Sequence, residues 1–247
     1  MSLAKYALTR RVHGFIVFVR LENIYCNIDS SNRRTMSTQG FAHQEHIVDS
    51  HWVQSHLADP DVVVVDVDTQ VGYSRGHIPG AVMLLDNYER DPHTGLVHTF
   101  PGERFAATCE TLGIGYGTTV VVYDNNMSIS AARFWWVMNY NGHRDSKVLD
   151  GSWRRWANEG LRVSFDPPCL NQNAAFTPRI DESLIVKLDD VMTGCSLAGV
   201  VNWDTRTAGE YDGTVTRRDQ RKGRISGAVQ LEWSDLMNRD THRFKPP

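Results

Sequence analysis

The segment Val62-Val63-Val64-Val65-Asp66 decides how this sequence folds. Four consecutive β-branched residues predict a strand that is buried on both faces, as the strands of parallel sheets are. Residues 120–123 repeat the pattern and are also followed by an aspartate, Asp124. Between the two strands, residues 104–112 have the periodicity of an amphipathic helix. Strands that alternate with helices at this spacing predict an α/β fold with a mainly parallel sheet and helices on both faces.

A seven-residue motif occurs twice in the sequence. Gly-His-Ile-Pro-Gly-Ala-Val at residues 76–82 recurs as Gly-Arg-Ile-Ser-Gly-Ala-Val at residues 223–229, with five of the seven positions identical. Each copy follows an apolar strand that ends at an aspartate, which is Asp66 in the first copy and Asp204 in the second. The repeat therefore predicts two similar structural units.

The second unit is expected to be incomplete. After the first copy the sequence continues to Asp166 through a helix, a strand, a further helix at residues 131–140 and a final strand at residues 147–149, whereas it ends at Pro247 soon after the second copy. We predict four segments in order: an N-terminal extension at residues 1–45, a complete domain at 46–166, a polar linker at 167–178 and the N-terminal part of a second domain at 179–247.

The N-terminal extension differs from the rest in charge. Residues 1–35 contain six Lys or Arg against Glu22 and Asp29. Two interpretations stay open: an organelle presequence, or untranslated sequence ahead of a start at Met36. The apolar stretch at residues 15–19 is far shorter than the ~20 residues of a membrane-spanning helix. We predict a cytoplasmic protein, or a mitochondrial matrix protein if residues 1–35 are a presequence.

Composition excludes several classes of function. With 247 residues, 41% hydrophobic positions and a formal net charge of −3, the chain has no bulk attraction to nucleic acid or to an anionic membrane. Its four cysteines are far apart and lack metal-type spacing with histidine, so we predict neither a metal site nor a cofactor. The cysteines are Cys26, Cys109, Cys169 and Cys195.

The order of the motifs resembles the tandem-domain rhodanese family, the thiosulfate and 3-mercaptopyruvate sulfurtransferases. The resemblance rests on landmarks of a first domain and on the opening of a second. They are Asp66 with Tyr73, residues 76–81, Tyr123-Asp124, Asp150-Gly151-Ser152-Trp153 with Trp156, then Asp204-Thr205-Arg206, Glu210-Tyr211 and residues 223–229.

This resemblance implies a first domain that is catalytically inactive and a second whose cysteine cycles through a persulfide. The thiolate takes a sulfane sulfur from thiosulfate or 3-mercaptopyruvate and passes it to a thiophilic acceptor such as cyanide. Asp124 occupies the cysteine position of the first domain, and the cysteine loop of the second is expected beyond Pro247. The resemblance thus implies no catalytic residue within this sequence.

Other residues have competing interpretations. Arg206 either contacts the anionic substrate or forms an ion pair with Asp204 or Glu210. His77 is better explained as a residue that orients its own turn than as a catalytic base. The four cysteines are not expected to replace the missing nucleophile, and core and interdomain packing is expected of the tryptophans Trp135, Trp136, Trp153 and Trp156.

These observations predict a sulfurtransferase-family protein that is inactive as given. Its partners would be small sulfur-containing anions and a thiophilic acceptor if the chain were extended. The alternative is a non-catalytic binding or regulatory module built on the first domain. A phosphatase of related architecture is disfavoured, because residues 124–130 supply no cysteine.

Overall fold

The computed structural model describes residues 41, 43–84, 102–168, 170, 174–194, 200–216 and 221–246, together with the backbone of four strands at 6–9, 16–20, 89–90 and 97–98. The chain divides into two compact units. The first unit contains Ser31–Glu89, Thr99–Asp181 and Met237–Pro247, and the second contains Met1–Ser30, Arg90–His98 and Glu182–Leu236. Within the described residues, no helix has both the length and the apolar character needed to cross a bilayer.

The elements are numbered in chain order. The strands are β1 (Tyr6–Thr9), β2 (Ile16–Arg20), β3 (Ile47–Val48), β4 (Val62–Asp66), β5 (Val82–Met83), β6 (Glu89–Arg90), β7 (Val97–His98), β8 (Thr119–Tyr123), β9 (Ser146–Leu149), β10 (Ile185–Val186), β11 (Val200–Asp204) and β12 (Val229–Gln230). The helices are α1 (Ser50–His56), α2 (Gln70–Ser74), α3 (Gly102–Thr111), α4 (Ile129–Tyr140), α5 (Ser152–Asn158), α6 (Leu188–Gly194) and α7 (Ala208–Asp212). Short 3-10 turns lie at Gln44–His46, Glu182–Leu184 and Trp233–Leu236.

The described strands of the first unit form a parallel sheet in the order β3-β9-β8-β4-β5. Its central pair aligns Val62 with Thr119 and Asp66 with Tyr123, so the two apolar runs lie side by side. Val65 and Val122 are buried in one core cluster with Phe105 of α3 and Phe134 of α4, while the other face packs Val64 and Val121 against Ile78 and Trp156. Burial on both faces confirms the predicted α/β fold with a parallel sheet.

The second unit contains a mixed sheet, with both parallel and antiparallel strand pairs. Its described strands have the order β10-β1-β2-β11-β12. β11 and β12 are parallel and flank the second copy of the repeated motif, so they correspond to β4 and β5. The position beside β11 that corresponds to β8 is filled by β2, which runs antiparallel and pairs Ile16 with Asp204. Part of the predicted N-terminal extension therefore contributes strands to this sheet.

Part of the segment predicted as a linker packs into the first unit. Phe176 is buried and its ring lies edge-on to Phe105, with centroids 5.7 Å apart. Arg179 and Asp181, which were predicted to open the second domain, also belong to this unit: their backbone N–H groups donate to the carbonyls of Asn141 and Tyr140 at 2.9 and 2.8 Å. The domain boundaries drawn from the sequence stay predictions, and Cys169 and residues 171–173 lie outside the described residues.

Candidate functional site

The loop that follows β8 is built around the Asp124 carboxylate. Its Oδ1 accepts the backbone N–H groups of Asn126 and Ser128 at 2.8 and 2.9 Å. Its Oδ2 accepts those of Ser130 and Ala131 at 2.8 and 3.0 Å. The turn needs left-handed backbone at Met127 and Ser128, with φ of 51° and 63°. Four converging donors make this loop a cradle for an anion, and the protein's own carboxylate fills it.

The same carboxylate caps α4. The helix begins at Ile129, and Ser128, the residue at its N-cap position, makes no side-chain capping bond. Asp124 instead satisfies the N–H groups of Ser130 and Ala131 in the first helical turn, where a negative charge also interacts favourably with the helix dipole. Burial nevertheless raises the pKa of Asp124, because only 1% of the residue is exposed.

A second loop, between β9 and α5, lies against the first. The backbone N–H of Trp153 donates to the Asp124 carbonyl at 2.9 Å. Asp150 accepts the Arg243 Nε–H at 2.8 Å and the Phe244 backbone N–H at 2.9 Å. Ser152 Oγ lies 3.2 Å from His242 Nδ1. Residues 242–244 thus border the Asp124 loop, next to an open cavity of about 350 Å³ lined by Asn125, Trp153, Arg154, Ala157, Asn158 and His242.

His77 is held within its own turn. Its Nδ1 lies 3.1 Å from the Tyr73 carbonyl oxygen and its Nε2 lies 3.1 Å from that of Asp166. The imidazole stacks on the Tyr73 ring at 3.9 Å and is 2% exposed. Both ring nitrogens are used in backbone contacts, which agrees with the turn-orienting interpretation rather than with a catalytic base.

Asp66 forms a buried network that the sequence analysis used only as a landmark. Tyr123 hydrogen-bonds to the Asp66 side chain and accepts the Ile78 backbone N–H at 3.2 Å. Asp66 Oδ1 accepts the Asp68 backbone N–H at 2.8 Å. Burial raises the pKa of Asp66 to about 6, against the smaller lowering effect of these hydrogen bonds. The sequence signal for this network was the apolar strand before Asp66. A carboxyl group at the end of a strand buried on both faces is itself removed from water.

Arg206 lies in the second unit, buried next to Asp204. Its Nε and Nη2 are 2.9 and 2.6 Å from the two carboxylate oxygens, and Nη2 also donates to the Gly223 carbonyl at 2.9 Å. Glu210, the other partner considered, accepts from the Thr207 hydroxyl at 2.7 Å within a capping box of α7. A bidentate pair fixes the loop between the repeat and β11. Substrate contact by Arg206 stays a prediction.

The remaining candidates are packed side chains where the structure describes them. Cys109 is fully buried in α3, and burial raises the pKa of its thiol. Cys26, Cys169 and Cys195 lie outside the described residues. Trp156 is fully buried, Trp153 stacks on Tyr123 at 6.3 Å, and Trp136 stacks on Tyr140 at 5.4 Å. Packing is therefore a sufficient role for these indoles.

Known proteins are similar to this chain in fold and in sequence. A family model described as "Rhodanese-like domain" matches residues 49–159. The sulfur carrier protein TtuD of Thermus thermophilus is 34% identical over 215 residues, which cover 81% of this chain and 74% of that protein. A thiosulfate sulfurtransferase of Corynebacterium glutamicum is 32% identical over 208 residues, covering 80% and 68%.

The solved structures agree on the fold. The crystal structure of SseA from Escherichia coli, described as having the rhodanese fold of 3-mercaptopyruvate sulfotransferases, has a TM-score of 0.66 at 24% identity and covers 81% of this chain and 78% of that one. Since two relatives above 30% identity also span most of the sequence, this chain belongs to the rhodanese family of sulfurtransferases.

Proposed function

We propose that this chain is a sulfurtransferase-family protein whose first domain is non-catalytic. We also propose that these 247 residues do not catalyse sulfur transfer. The family reaction would move sulfane sulfur from thiosulfate or 3-mercaptopyruvate to a thiophilic acceptor through a cysteine persulfide. One observation carries the proposal: the Asp124 carboxylate occupies the cradle of four N–H donors at the end of β8.

The chemistry of sulfur transfer explains why an aspartate in place of a cysteine matters. A thiolate attacks the outer sulfur of thiosulfate, the S–S bond breaks, and sulfite leaves with the bonding electron pair. Cyanide then attacks the terminal sulfur of the persulfide, thiocyanate forms and the thiolate is restored. Backbone N–H donors favour both the thiolate and the persulfide anion. A carboxylate placed there satisfies the donors but cannot form an S–S bond.

The other described residues supply no substitute. Cys109 is the cysteine within the described part of the chain, and it is fully buried in α3. In the second unit the sheet position that corresponds to β8 is filled by β2, which runs antiparallel to β11. Among the described strands of that unit, none therefore leads from this position into a strand-to-helix loop at the Asp204 edge.

The substrate class is proposed from the named relatives. They include a thiosulfate sulfurtransferase, a sulfur carrier protein and the 3-mercaptopyruvate sulfurtransferase of Escherichia coli, which is 29% identical over 206 residues. We also keep the predicted organisation as part of the proposal: a first domain at 46–166, a linker at 167–178 and the opening of a second domain at 179–247, preceded by an extension at 1–45.

The test measures thiocyanate formed from thiosulfate and cyanide by the 247-residue protein. A variant with all four cysteines changed to serine is the matched control. We expect both proteins to match the uncatalysed rate. Turnover by the unmodified chain that is abolished by replacing a single cysteine would overturn the proposal.

An alternative function, a non-catalytic binding or regulatory module, is favoured by the same carboxylate and by the open cavity beside its loop. Arg154 and Asn125 line this cavity and would form the contact surface. Arg154→Ala and Asn125→Ala should then release a partner that the unmodified chain retains at one-to-one stoichiometry, whereas exposed changes elsewhere, such as Asp61→Ala, should not.

A further inference from the structure

Three side chains with metal-binding atoms converge just before β3. His43 Nδ1 lies 3.0 Å from Glu45 Oε1, and His46 Nε2 lies 3.8 Å from the same oxygen. One ligand atom from each of the three residues lies within 4.8 Å of the others. The side chains keep 38%, 61% and 32% exposure in the order His43, Glu45, His46, so the cluster is open to solvent.

The backbone and one neighbouring ring hold this cluster in place. Gln44–His46 forms a 3-10 turn, and the His46 backbone N–H donates to the His43 carbonyl at 3.3 Å. The turn continues directly into β3, where Ile47 pairs with Val148. The His46 ring meets the Trp135 ring edge-on at 5.1 Å, and the Trp135 indole N–H is itself fixed on the Ser146 carbonyl at 3.0 Å.

We propose that His43, Glu45 and His46 bind one divalent transition-metal ion of the zinc type, with the remaining coordination positions open to water. Zinc binds nitrogen and oxygen ligands at roughly 2.0–2.2 Å, which places tetrahedral ligand atoms about 3.4 Å apart. The observed separations of 3.0 and 3.8 Å lie on either side of that value. The imidazole nitrogens of His43 and His46 lie within 4.8 Å of each other, so the exposed side chains would draw closer together when the ion binds.

The ligand types select the class of ion. Two imidazoles and one carboxylate suit zinc, nickel and copper, whereas magnesium and calcium prefer sites built from oxygen. An ammonium group beside the cluster is already engaged: Lys147 Nζ pairs with Asp145 at 2.7 Å and donates to the Glu45 carbonyl at 3.4 Å. The negative charge of Glu45 is therefore not neutralised at its carboxylate by this lysine.

The prediction of no metal site rested on cysteine spacing, and this set contains no cysteine. Its spacing of two and three residues along the sequence brings the side chains together only because residues 44–46 form a 3-10 turn. On an extended strand His43 and Glu45 would share one face and His46 would point to the other. The local backbone therefore creates the site.

The experiment is a calorimetric titration of the full chain with zinc chloride. Cys26, Cys169 and Cys195 are first changed to serine, because thiols bind zinc themselves. We expect one saturable equivalent. Glu45→Gln and His46→Gln should each weaken the affinity at least tenfold, since even indirect partners of metal ligands cost 10- to 100-fold. His51→Gln, an exposed histidine on α1, is the matched control and should leave the affinity unchanged.

Cobalt gives a second readout that does not depend on calorimetric heat. Co²⁺ bound by these three residues should give visible d–d absorption that zinc displaces, and Glu45→Gln should remove it. Far-UV circular dichroism checks that each variant is folded. Absence of saturable binding, or equal affinity in Glu45→Gln and His51→Gln, would show that the cluster is only a hydrogen-bonded surface group. Neither result bears on the proposed sulfurtransferase assignment.

Discussion

The Asp124 carboxylate lies 3.0 Å from the backbone nitrogen of Ala131, seven residues further along the chain. One buried side chain thus ties the end of β8 to the first turn of α4. Three other N–H groups depend on it as well.

Asp124→Ala should strongly destabilise the protein, because it leaves four backbone donors without their acceptor at a buried position. A loss of about 4 kcal/mol in the free energy of unfolding is expected from the cost of unsatisfied buried groups. Asp124→Asn should lose less, since its remaining carbonyl oxygen still accepts. Urea denaturation followed by circular dichroism measures both. Asp61→Ala, an exposed change, should cost little, and an equal loss there would refute this explanation.

Arg206→Ala should destabilise the second unit by about 3–5 kcal/mol, the cost of leaving one partner of a buried ion pair alone. Asp204 would remain with a fully buried carboxylate. Arg206→Lys should recover only part of the loss, because an ammonium group cannot reproduce the bidentate contact. Arg221→Ala serves as the exposed control. Hydrogen exchange of residues 200–212 locates the effect, and unchanged protection in Arg206→Ala would contradict it.

Asp66 should make stability depend on pH in an unusual direction. Its pKa is about 6 in the folded protein, above the ordinary 3.8, so the folded state binds the proton more tightly than the unfolded state. The contribution of Asp66 is therefore fully present below about pH 4 and is lost as the pH rises through about 6. The rise of the pKa from 3.8 to about 6 corresponds to about 3 kcal/mol of stability.

Asp66→Asn isolates this contribution from other titrating groups. The difference in unfolding free energy between Asp66→Asn and the unmodified protein should change in favour of the variant by about 2.5 kcal/mol between pH 4 and pH 7. Denaturation series at matched ionic strength give the two curves. Parallel curves across this range would show that Asp66 titrates normally.

Cys109 should resist modification as long as the protein is folded. Its thiol is fully buried and its pKa is raised, so both access and thiolate formation are suppressed. In a variant with Cys26, Cys169 and Cys195 replaced by serine, a disulfide reagent should react only after urea is added. Rapid labelling in native buffer would place Cys109 at an accessible surface.

The sequence predicted the core of the first unit well because its signals are local. Two runs of valine indicate β4 and β8, because consecutive β-branched residues are typical of a strand that is buried on both faces. The start of α4 was less accurate: the pattern indicated Ala131, whereas the helix begins at Ile129 because Asp124 satisfies its first N–H groups from outside the helix. Caps supplied by a residue several positions away leave little trace in periodicity.

The candidate sites show the same limit. The sequence left Arg206 with two interpretations, substrate contact or an ion pair. The structure shows that its Nε and Nη2 both bind the Asp204 carboxylate. The His43, Glu45 and His46 cluster was missed because its spacing matters only in a 3-10 turn. The strands at residues 6–9 and 16–20 could not be paired with β10 and β11 from sequence, since strand pairing over such distances carries no periodic signal.

The packing of Phe176 against Phe105 has a practical consequence for dissecting this protein. A fragment that ends at Asp166, where the repeating pattern stops, would lack the Phe176 ring and leave the Phe105 side of α3 uncovered. Such a fragment should be prone to aggregation. A fragment extended through Asp181 keeps Phe176 and the two backbone hydrogen bonds made by Arg179 and Asp181. The minimal unit of folding is thus longer than the minimal unit of recognisable sequence.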